Sequence, residues 1–151
     1  MGTAYSKKLL VLYILDILQK YTDEEHRLSQ KEILEILRKE YEMTVDRKTI
    51  RRNLLNLMEY DCEIECREVL RKKPDRSDSS YLGECEEEEA IWTDFYLKHK
   101  FTDEELRLLI DSVLFSRHIP YRQVKDLVEK LESLSNVYFK SQSQYIYPPS
   151  E

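Results

Sequence analysis

VDRKTIRRNLLNLM, residues 45–58, is the stretch that decides the fold of this chain. Its apolar residues recur at i, i+4, i+7 and i+8, which is the spacing of one buried helix face. They are Ile50, Leu54, Leu57 and Met58. Asp46 precedes them and is placed to accept a backbone N–H bond as N-cap. The stretch therefore predicts a capped amphipathic helix that packs one side against the rest of the molecule.

The other side of this predicted helix is basic. Six polar residues lie opposite or beside the apolar face, at about 100° per residue. Such a face is typical of a recognition helix in the major groove of DNA, and it is also ordinary on the solvated side of a surface helix. If the helix binds DNA, we expect base-edge contacts from Lys48, Thr49, Arg52 and Asn56, and phosphate contacts from Arg47 and Arg51.

Two further helices are predicted before this stretch. Residues 7–21 carry an apolar stripe so wide that we expect a helix buried on more than one side. Ser29, with Glu32 three residues later, is a capping-box pattern that opens a second helix, which ends near Tyr41. Only a short turn then precedes Asp46. Three helices in this order predict a helix-turn-helix, in which the later helix enters the major groove.

A β-hairpin, or wing, is predicted after the third helix. Residues 63–71 alternate between apolar and charged, and residues 90–97 are rich in β-branched and aromatic side chains, as strands are. Residues 72–83 are rich in turn formers and charge, and residues 84–89 continue this predicted exposed loop. At the wing we expect Arg71, Lys72 and Lys73 to contact the flanking backbone or minor groove.

The C-terminal part predicts a helical hairpin. Thr102 and Glu105 form a second capping-box pattern, which starts a helix to about Arg117. Pro120 marks a break, and residues 121–134 carry the apolar stripe of a further helix. This hairpin either folds back on the preceding domain or pairs with a second copy of the chain, and the pattern favours neither.

The predicted fold class is therefore mainly α with a small β-wing. We expect a winged helix-turn-helix DNA-binding domain at residues 5–98, a hairpin for linkage or dimerisation at residues 99–139, and a polar tail at residues 140–151. The net charge of −6 and pI of about 5.3 weaken non-specific binding to a polyanion, but base is concentrated locally on the predicted recognition helix. Because no apolar run is long enough for a membrane span and no signal peptide is present, we expect a cytoplasmic protein.

Residues that could support catalysis or hold a metal form no recognisable group. Cys62, Cys66 and Cys85 lack CxxC spacing, which indicates reduced thiols, and a zinc site that adds His99 matches no closed structural spacing. All three histidines are dispersed and expected on the surface. With two glycines, the chain offers no phosphate-cradling loop. We therefore expect a non-enzyme without a cofactor.

The order of these elements resembles the N-terminal half of bacterial WYL-domain transcriptional regulators over residues 7–139. The most specific pieces are residues 49–53, TIRRN, and residues 101–106, FTDEEL. The family's form of the first piece runs Thr-Ile-x-Arg-Asp, so Thr49, Ile50 and Arg52 match, whereas Asn53 departs from it. The resemblance implies a sequence-specific DNA-binding regulator and favours a homodimer formed through the C-terminal helices.

The ligand-sensing domain of these regulators is not expected in this chain, because no Trp-Tyr-Leu sequence occurs. The resemblance thus implies either a piece of a longer regulator or a short regulator without a sensor, and we expect no effector ligand to bind. Double-stranded DNA is the expected partner. The alternatives are a protein-interaction module on a winged-helix scaffold, which docks through the hairpin or residues 86–89, and an RNA-binding accessory protein, although the stacking aromatics of a single-strand platform are not evident.

Overall fold

The computed structural model describes the backbone of residues 6–72 and 88–142 and the side chains of residues 6–71 and 90–139. This part of the chain is mainly helical with one small antiparallel sheet, as expected. Lys73, the remainder of the predicted wing loop to residue 87, and the tail beyond Gln142 lie outside the described residues. After a 3₁₀ turn at Lys7–Leu9 the elements are α1 (Leu10–Tyr21), α2 (Gln30–Glu40), α3 (Arg47–Glu59), β1 (Ile64–Lys72), β2 (Glu88–Leu97), α4 (Asp103–Leu114), α5 (Tyr121–Glu132) and α6 (Val137–Gln142).

Both predicted capping boxes are present, and they fix where α2 and α4 begin. At the start of α2, the Glu32 N–H donates to Ser29 Oγ at 3.3 Å, and the Ser29 N–H donates to the Glu32 carboxylate at 2.7 Å. Thr102 and Glu105 exchange the same two bonds at the start of α4. These start signals were predictable because each lies within four consecutive residues.

The N-terminal core is the apolar cluster that α1, α2, α3 and the sheet enclose. Its members include Ile50, Leu54 and Leu57 of the predicted stripe of α3, with Met58 half-buried against them, and this burial turns the basic side of α3 outward. Burying an aliphatic side chain contributes about 1.5–3 kcal/mol. The buried residues of the N-terminal core are Leu10, Ile14, Ile17, Leu18, Ile33, Leu37, Met43, Ile50, Leu54, Leu57, Ile64 and Phe95.

The wide apolar stripe of α1 packs against α2, α3, the sheet and α6. Leu10, Ile14 and Ile17 are buried in the N-terminal core, and Val11 and Leu15 are partly buried beside them. The outermost apolar residues, Leu9 and Leu12, are exposed.

The sheet pairs β1 with β2 in antiparallel register from Ile64 opposite Leu97 to Lys72 opposite Glu88. The loop prediction for residues 84–89 is therefore wrong at Glu88 and Glu89, which belong to β2 and extend the strand pairing. The segment between α1 and α2 adds one more pair, because Leu28 and Phe95 exchange N–H to carbonyl bonds of 2.9 and 2.8 Å. This bridge ties the start of α2 to the sheet and was not predicted.

The C-terminal core lies between α4 and α5. Both helices are shorter than predicted, ending at Leu114 and Glu132 rather than near Arg117 and Leu134. The short helix α6 was not predicted, and it supplies Phe139 to this core. The buried residues of the C-terminal core are Leu106, Ile110, Leu114, Val124, Val128 and Phe139.

A polar junction joins the hairpin to the N-terminal part of the molecule; it consists of Thr22, Asp23, His26, His99 and Asn136. Asn136 Nδ2 donates to the Thr22 carbonyl at 3.1 Å and to Asp23 Oδ2 at 2.7 Å. His99 Nε2 lies 2.9 Å from the same carbonyl, and His26 Nδ1 lies 2.8 Å from Asp23 Oδ1. Of the three histidines expected on the surface, His118 is exposed, whereas His26 and His99 are half-buried in this junction.

Candidate nucleic-acid interface

The start of α3 is fixed by its own side chains. The Thr49 N–H donates to Asp46 Oδ1 at 3.2 Å, which confirms the predicted N-cap, and the Thr49 hydroxyl donates to the same oxygen. The bonds from Thr49 hold the pKa of the Asp46 carboxyl below its ordinary value. Asn53 Nδ2 donates to the Thr49 carbonyl at 2.8 Å. The residue that departs from the family pattern is thus tied one turn back within its own helix.

The outward side of α3 forms an exposed basic face. Lys48, Arg52 and Asn56 are exposed opposite the buried stripe, as their spacing predicted, whereas Thr49 is half-buried. Residues 47–56 contain four Lys and Arg and no Asp or Glu. This face therefore combines guanidinium, ammonium and amide donors with an uninterrupted positive charge.

Arg51 connects this face to the sheet. Its guanidinium carbon lies 5.4 Å from the centroid of the Trp92 ring in β2, within the range of a cation–π contact. From the other side, Gln30 Nε2 at the start of α2 donates to the Trp92 carbonyl at 3.3 Å. Trp92 thus holds the flank of α3 and the start of α2 against β2.

A β-bulge lies beside this contact. The strand register shifts between Glu65 and Arg67, and Asp94 in the opposing part of β2 has a φ of 56°, in the left-handed region. Arg67 Nη2 lies 2.8 Å from Asp94 Oδ2. Because a bulge changes the direction of side chains along its strand, and the extra residue is in β2, it contributes to directing the Asp94 carboxylate toward Arg67.

The basic cleft is a concavity of about 400 Å³ between the start of α2, the start of α3 and the sheet. Of the lining residues that the structure describes, four are Lys or Arg and none is Asp or Glu. Convergent positive charge in a concave surface attracts anions more strongly than the same charges spread over a convex one. The lining residues are Ser29, Gln30, Lys31, Arg47, Arg67, Val69, Arg71, Ile91 and Thr93.

One described carboxylate adjoins the cleft, because Asp94 pairs with Arg67. Glu89 stands opposite Arg71 in the strand register, and its side chain lies outside the described residues. Among the described lining residues, Lys31 and Arg47 bring further positive charge from α2 and α3.

The structure places the predicted DNA-binding residues at three locations. Arg47 and Arg71 meet in the basic cleft, while Lys48, Arg52 and Asn56 lie on the outer face of α3 and Arg51 packs on Trp92. Lys72 is described only in its backbone, as the last residue of β1.

Two residues of the cleft escaped prediction from the sequence. Lys31 lies within the capping box of Ser29 and Glu32 and so in the first turn of a helix, where anions approach. Arg67 is an even number of residues from Arg71 and therefore shares its strand face. These signals were present, but only the folded chain brings α2 next to β1.

Other chemistry in the described residues is sparse. Within residues 6–72 and 88–142, no group of three or more His, Cys, Asp or Glu side chains could hold a metal ion. Cys62 and Cys66 are half-buried and form no disulfide, burial raises the pKa of the Cys66 thiol, and Cys85 lies outside the described residues. In the same part of the chain, no helix has the length and apolar character needed to cross a bilayer.

Comparisons of the chain with protein-family models, with curated proteins and with solved structures found no match.

Proposed function

We propose that this chain is a sequence-specific module for double-stranded DNA, a winged helix-turn-helix of the type found in WYL-domain regulators. In this proposal α3 enters the major groove, and β1 and β2 form the wing. The order of α1, the Leu28 bridge, α2, α3 and the two strands supports it, because a helix-turn-helix followed by a hairpin is the winged arrangement.

The observation that carries the proposal is the basic face of α3. Its stripe of Ile50, Leu54 and Leu57 is buried, so the helix is held rigidly with its donors directed outward. A helix with its side chains is about 10–12 Å across, and the major groove of B-DNA is about 12 Å wide. The fit of these dimensions supports insertion of α3 along its exposed side.

Arg52 is the residue best suited to read a base. It lies on the exposed side of α3 between Lys48 and Asn56, and a guanidinium can donate two parallel N–H bonds to O6 and N7 of guanine. Such a bidentate contact contributes about 1–3 kcal/mol of discrimination against a wrong base. Lys48 and Asn56, one turn away on each side, are then placed to contact neighbouring bases.

The acidic total charge sets the expected affinity profile. With a net charge of −6, long-range repulsion from the duplex opposes binding, so a specific complex depends on short-range contacts of the basic face and the cleft. We expect weak binding to random duplex DNA and a steep fall of affinity with salt.

Selection of bound sequences from a random duplex pool tests the proposal. The wild type should enrich one motif, and Arg52→Ala should lose the preference at a single base position. Arg38→Ala, which removes an exposed charge from the last turn of α2, is the matched control and should enrich the wild-type motif. No enrichment by the wild type would contradict sequence-specific binding, and an unchanged motif from Arg52→Ala would contradict the role of Arg52.

A protein-interaction function is the second candidate, and it is favoured by the hairpin. Leu108 and Phe115, two helical turns apart along α4 and its C-cap, are 67% and 84% exposed. Leu127 and Leu134 of the predicted stripe are exposed as well. Exposed apolar surface of this kind is typical of interaction sites. The predicted homodimer through the C-terminal helices is one form of this candidate.

Sedimentation equilibrium tests the homodimer. A dimer at micromolar concentration that Phe115→Ser dissociates would support it, with Leu55→Ser on α3 as a control outside the hairpin. A wild-type chain that is purely monomeric at that concentration would contradict it.

A further inference from the structure

We propose that the basic cleft binds a phosphate oxyanion, and that this phosphate belongs to the duplex backbone flanking the groove that α3 occupies. The inference deepens the proposed function and rests on it for the source of the phosphate. In this proposal Lys31 and Arg67, which were not predicted from the sequence as binding residues, contact phosphate together with Arg47 and Arg71.

The first step is the convergence of charge from three elements. Lys31 comes from α2, Arg47 is the first residue of α3, and Arg67 and Arg71 come from β1, yet all four line one concavity. The core and the strand pairing hold these backbones in place, so the cations repel one another at a fixed spacing. An anion in the cleft relieves that repulsion, and no carboxylate is among the lining residues whose side chains the structure describes.

The second step is the supply of hydrogen-bond donors. A guanidinium has five N–H donors, and the Arg67 pair with Asp94 engages Nη2, which leaves further donors for an anion. Arg71, four residues along the strand on the same face, adds a second planar fork of the kind that suits phosphate. The Asp94 pair therefore orients Arg67 while its donor capacity remains incompletely used.

The third step identifies the source of the phosphate. Val69 and Ile91 stand opposite each other in the register and also line the cleft, so an apolar patch adjoins the cations. A nucleic-acid backbone presents charged phosphate next to carbon-rich sugar, whereas inorganic phosphate has no apolar part. Arg47 lines the cleft and is adjacent in α3 to Lys48 of the basic face, so one strand of DNA can contact both surfaces.

The test measures duplex affinity from about 50 to about 200 mM salt by fluorescence anisotropy. Lys31→Gln and Arg71→Gln should each reduce the slope of log K against log salt by about 1, the expected loss for one phosphate contact. Lys39→Gln, which removes an equal charge from the far end of α2, should leave the slope unchanged. Arg71→Lys should restore most of the slope. Equal slopes for all four variants and the wild type would overturn the proposal.

A second arm separates the two sources of phosphate. Without DNA, inorganic phosphate is titrated against chloride at matched ionic strength, and the backbone amide signals of residues 29–31 and 69–71 are followed by NMR. We expect no saturable shift, together with loss of duplex affinity when one flanking linkage is replaced by neutral methylphosphonate. A saturable shift that Arg71→Gln abolishes would overturn the backbone assignment in favour of a free phosphorylated ligand.

The two experiments also distinguish a wrong assignment of the cleft from a wrong DNA-binding proposal. Lys31 and Arg71 are exposed, so their variants should fold, and unchanged thermal midpoints confirm this. A motif selected by the wild type, with slopes that the cleft variants do not alter, would leave DNA binding standing and remove the cleft. A wild type that binds no duplex at low salt would overturn both the DNA-binding proposal and the backbone assignment.

Discussion

The two apolar cores of this molecule are closed in different ways. Twelve buried residues from three helices, two strands and one connection make up the N-terminal core, and the Leu28 bridge adds backbone bonds at its edge. Six buried residues make up the C-terminal core, and hydrogen bonds of the polar junction attach the hairpin to the rest. Apolar burial scales with area, whereas a buried hydrogen bond depends on an exact partner. The N-terminal part should therefore tolerate loss of one polar contact better than the hairpin does.

This difference bears on function because the two candidate roles lie on different parts. The basic face and basic cleft belong to elements around the N-terminal core, and the exposed apolar residues Leu108 and Phe115 belong to the hairpin. A change that loosens only one part should impair only the role that part carries. The predictions below use this separation.

The largest effect is expected from Leu54→Ala, which leaves a cavity in the N-terminal core beneath the basic face. Leu54 is fully buried, so we expect a loss of about 2–5 kcal/mol in the free energy of unfolding. Leu55→Ala, at the next and partly exposed position of α3, should cost at most about 1 kcal/mol. Urea denaturation followed by circular dichroism measures both. Equal losses would contradict the idea that one side of α3 carries the packing.

Features that depend on neighbouring residues were predictable from the sequence. The capping boxes at Ser29 and Thr102, the N-cap at Asp46 and the buried stripe of α3 all follow from spacing within one helix. The order of three helices, a small sheet and two further helices was also predictable from the sequence. The exposure of Lys48 and Arg52 was predictable for the same reason.

Features that depend on distant parts of the chain were not predictable. Thr22 lies in a stretch that looked like a polar connection, yet it is fully buried because Leu97, His99 and Asn136 converge on it. The Leu28 bridge and the inclusion of Lys31 in the basic cleft likewise require the folded sheet. A single sequence carries local propensity for each of these segments, but it does not state which segments meet.

The next largest loss of stability is expected from Asn136→Ala, which removes an amide from the polar junction. Asn136 is 3% exposed, and its removal leaves the Asp23 carboxylate and the Phe139 N–H without the amide that bonds them. We expect a loss of about 1–3 kcal/mol. Amide hydrogen exchange should accelerate in α4, α5 and α6 and remain slow in α3. The control is Ser133→Ala, which changes an exposed residue at the end of α5. Uniform acceleration of exchange through the whole chain would contradict a separately attached hairpin.

A pH-dependent effect tests the same junction through Asp23. Burial alone would raise the pKa of this carboxyl, but hydrogen bonds from Asn136, His26 and Glu25 outweigh it and hold the pKa below the ordinary value of 3.8. A carboxyl with a lowered folded pKa stabilises the fold fully above its unfolded pKa, and the contribution is lost as pH falls through the folded value. The stability difference between the wild type and Asp23→Asn should thus be constant near neutral pH and shrink in acid. A difference that stays constant into the acid range would contradict a charge-dependent junction.

The smallest effect is expected from Asp94→Asn, and its comparison with Asp94→Ala tests how the N-terminal part maintains a left-handed backbone conformation. Within the described residues, the non-glycine residues with positive φ are Glu42, Asp61 and Asp94, and none lies in the hairpin. Asn tolerates the left-handed region as Asp does, so Asp94→Asn should lose only the partly exposed pair with Arg67, at most about 1 kcal/mol. Asp94→Ala should cost about 1–2 kcal/mol more, because its Cβ is unfavourable there without the local bonds that Asn provides. Chemical denaturation of the two variants measures the difference. If Asn and Ala cost the same, the ion pair and not the backbone conformation maintains the bulge, and the N-terminal part would then depend on a polar contact just as the hairpin does.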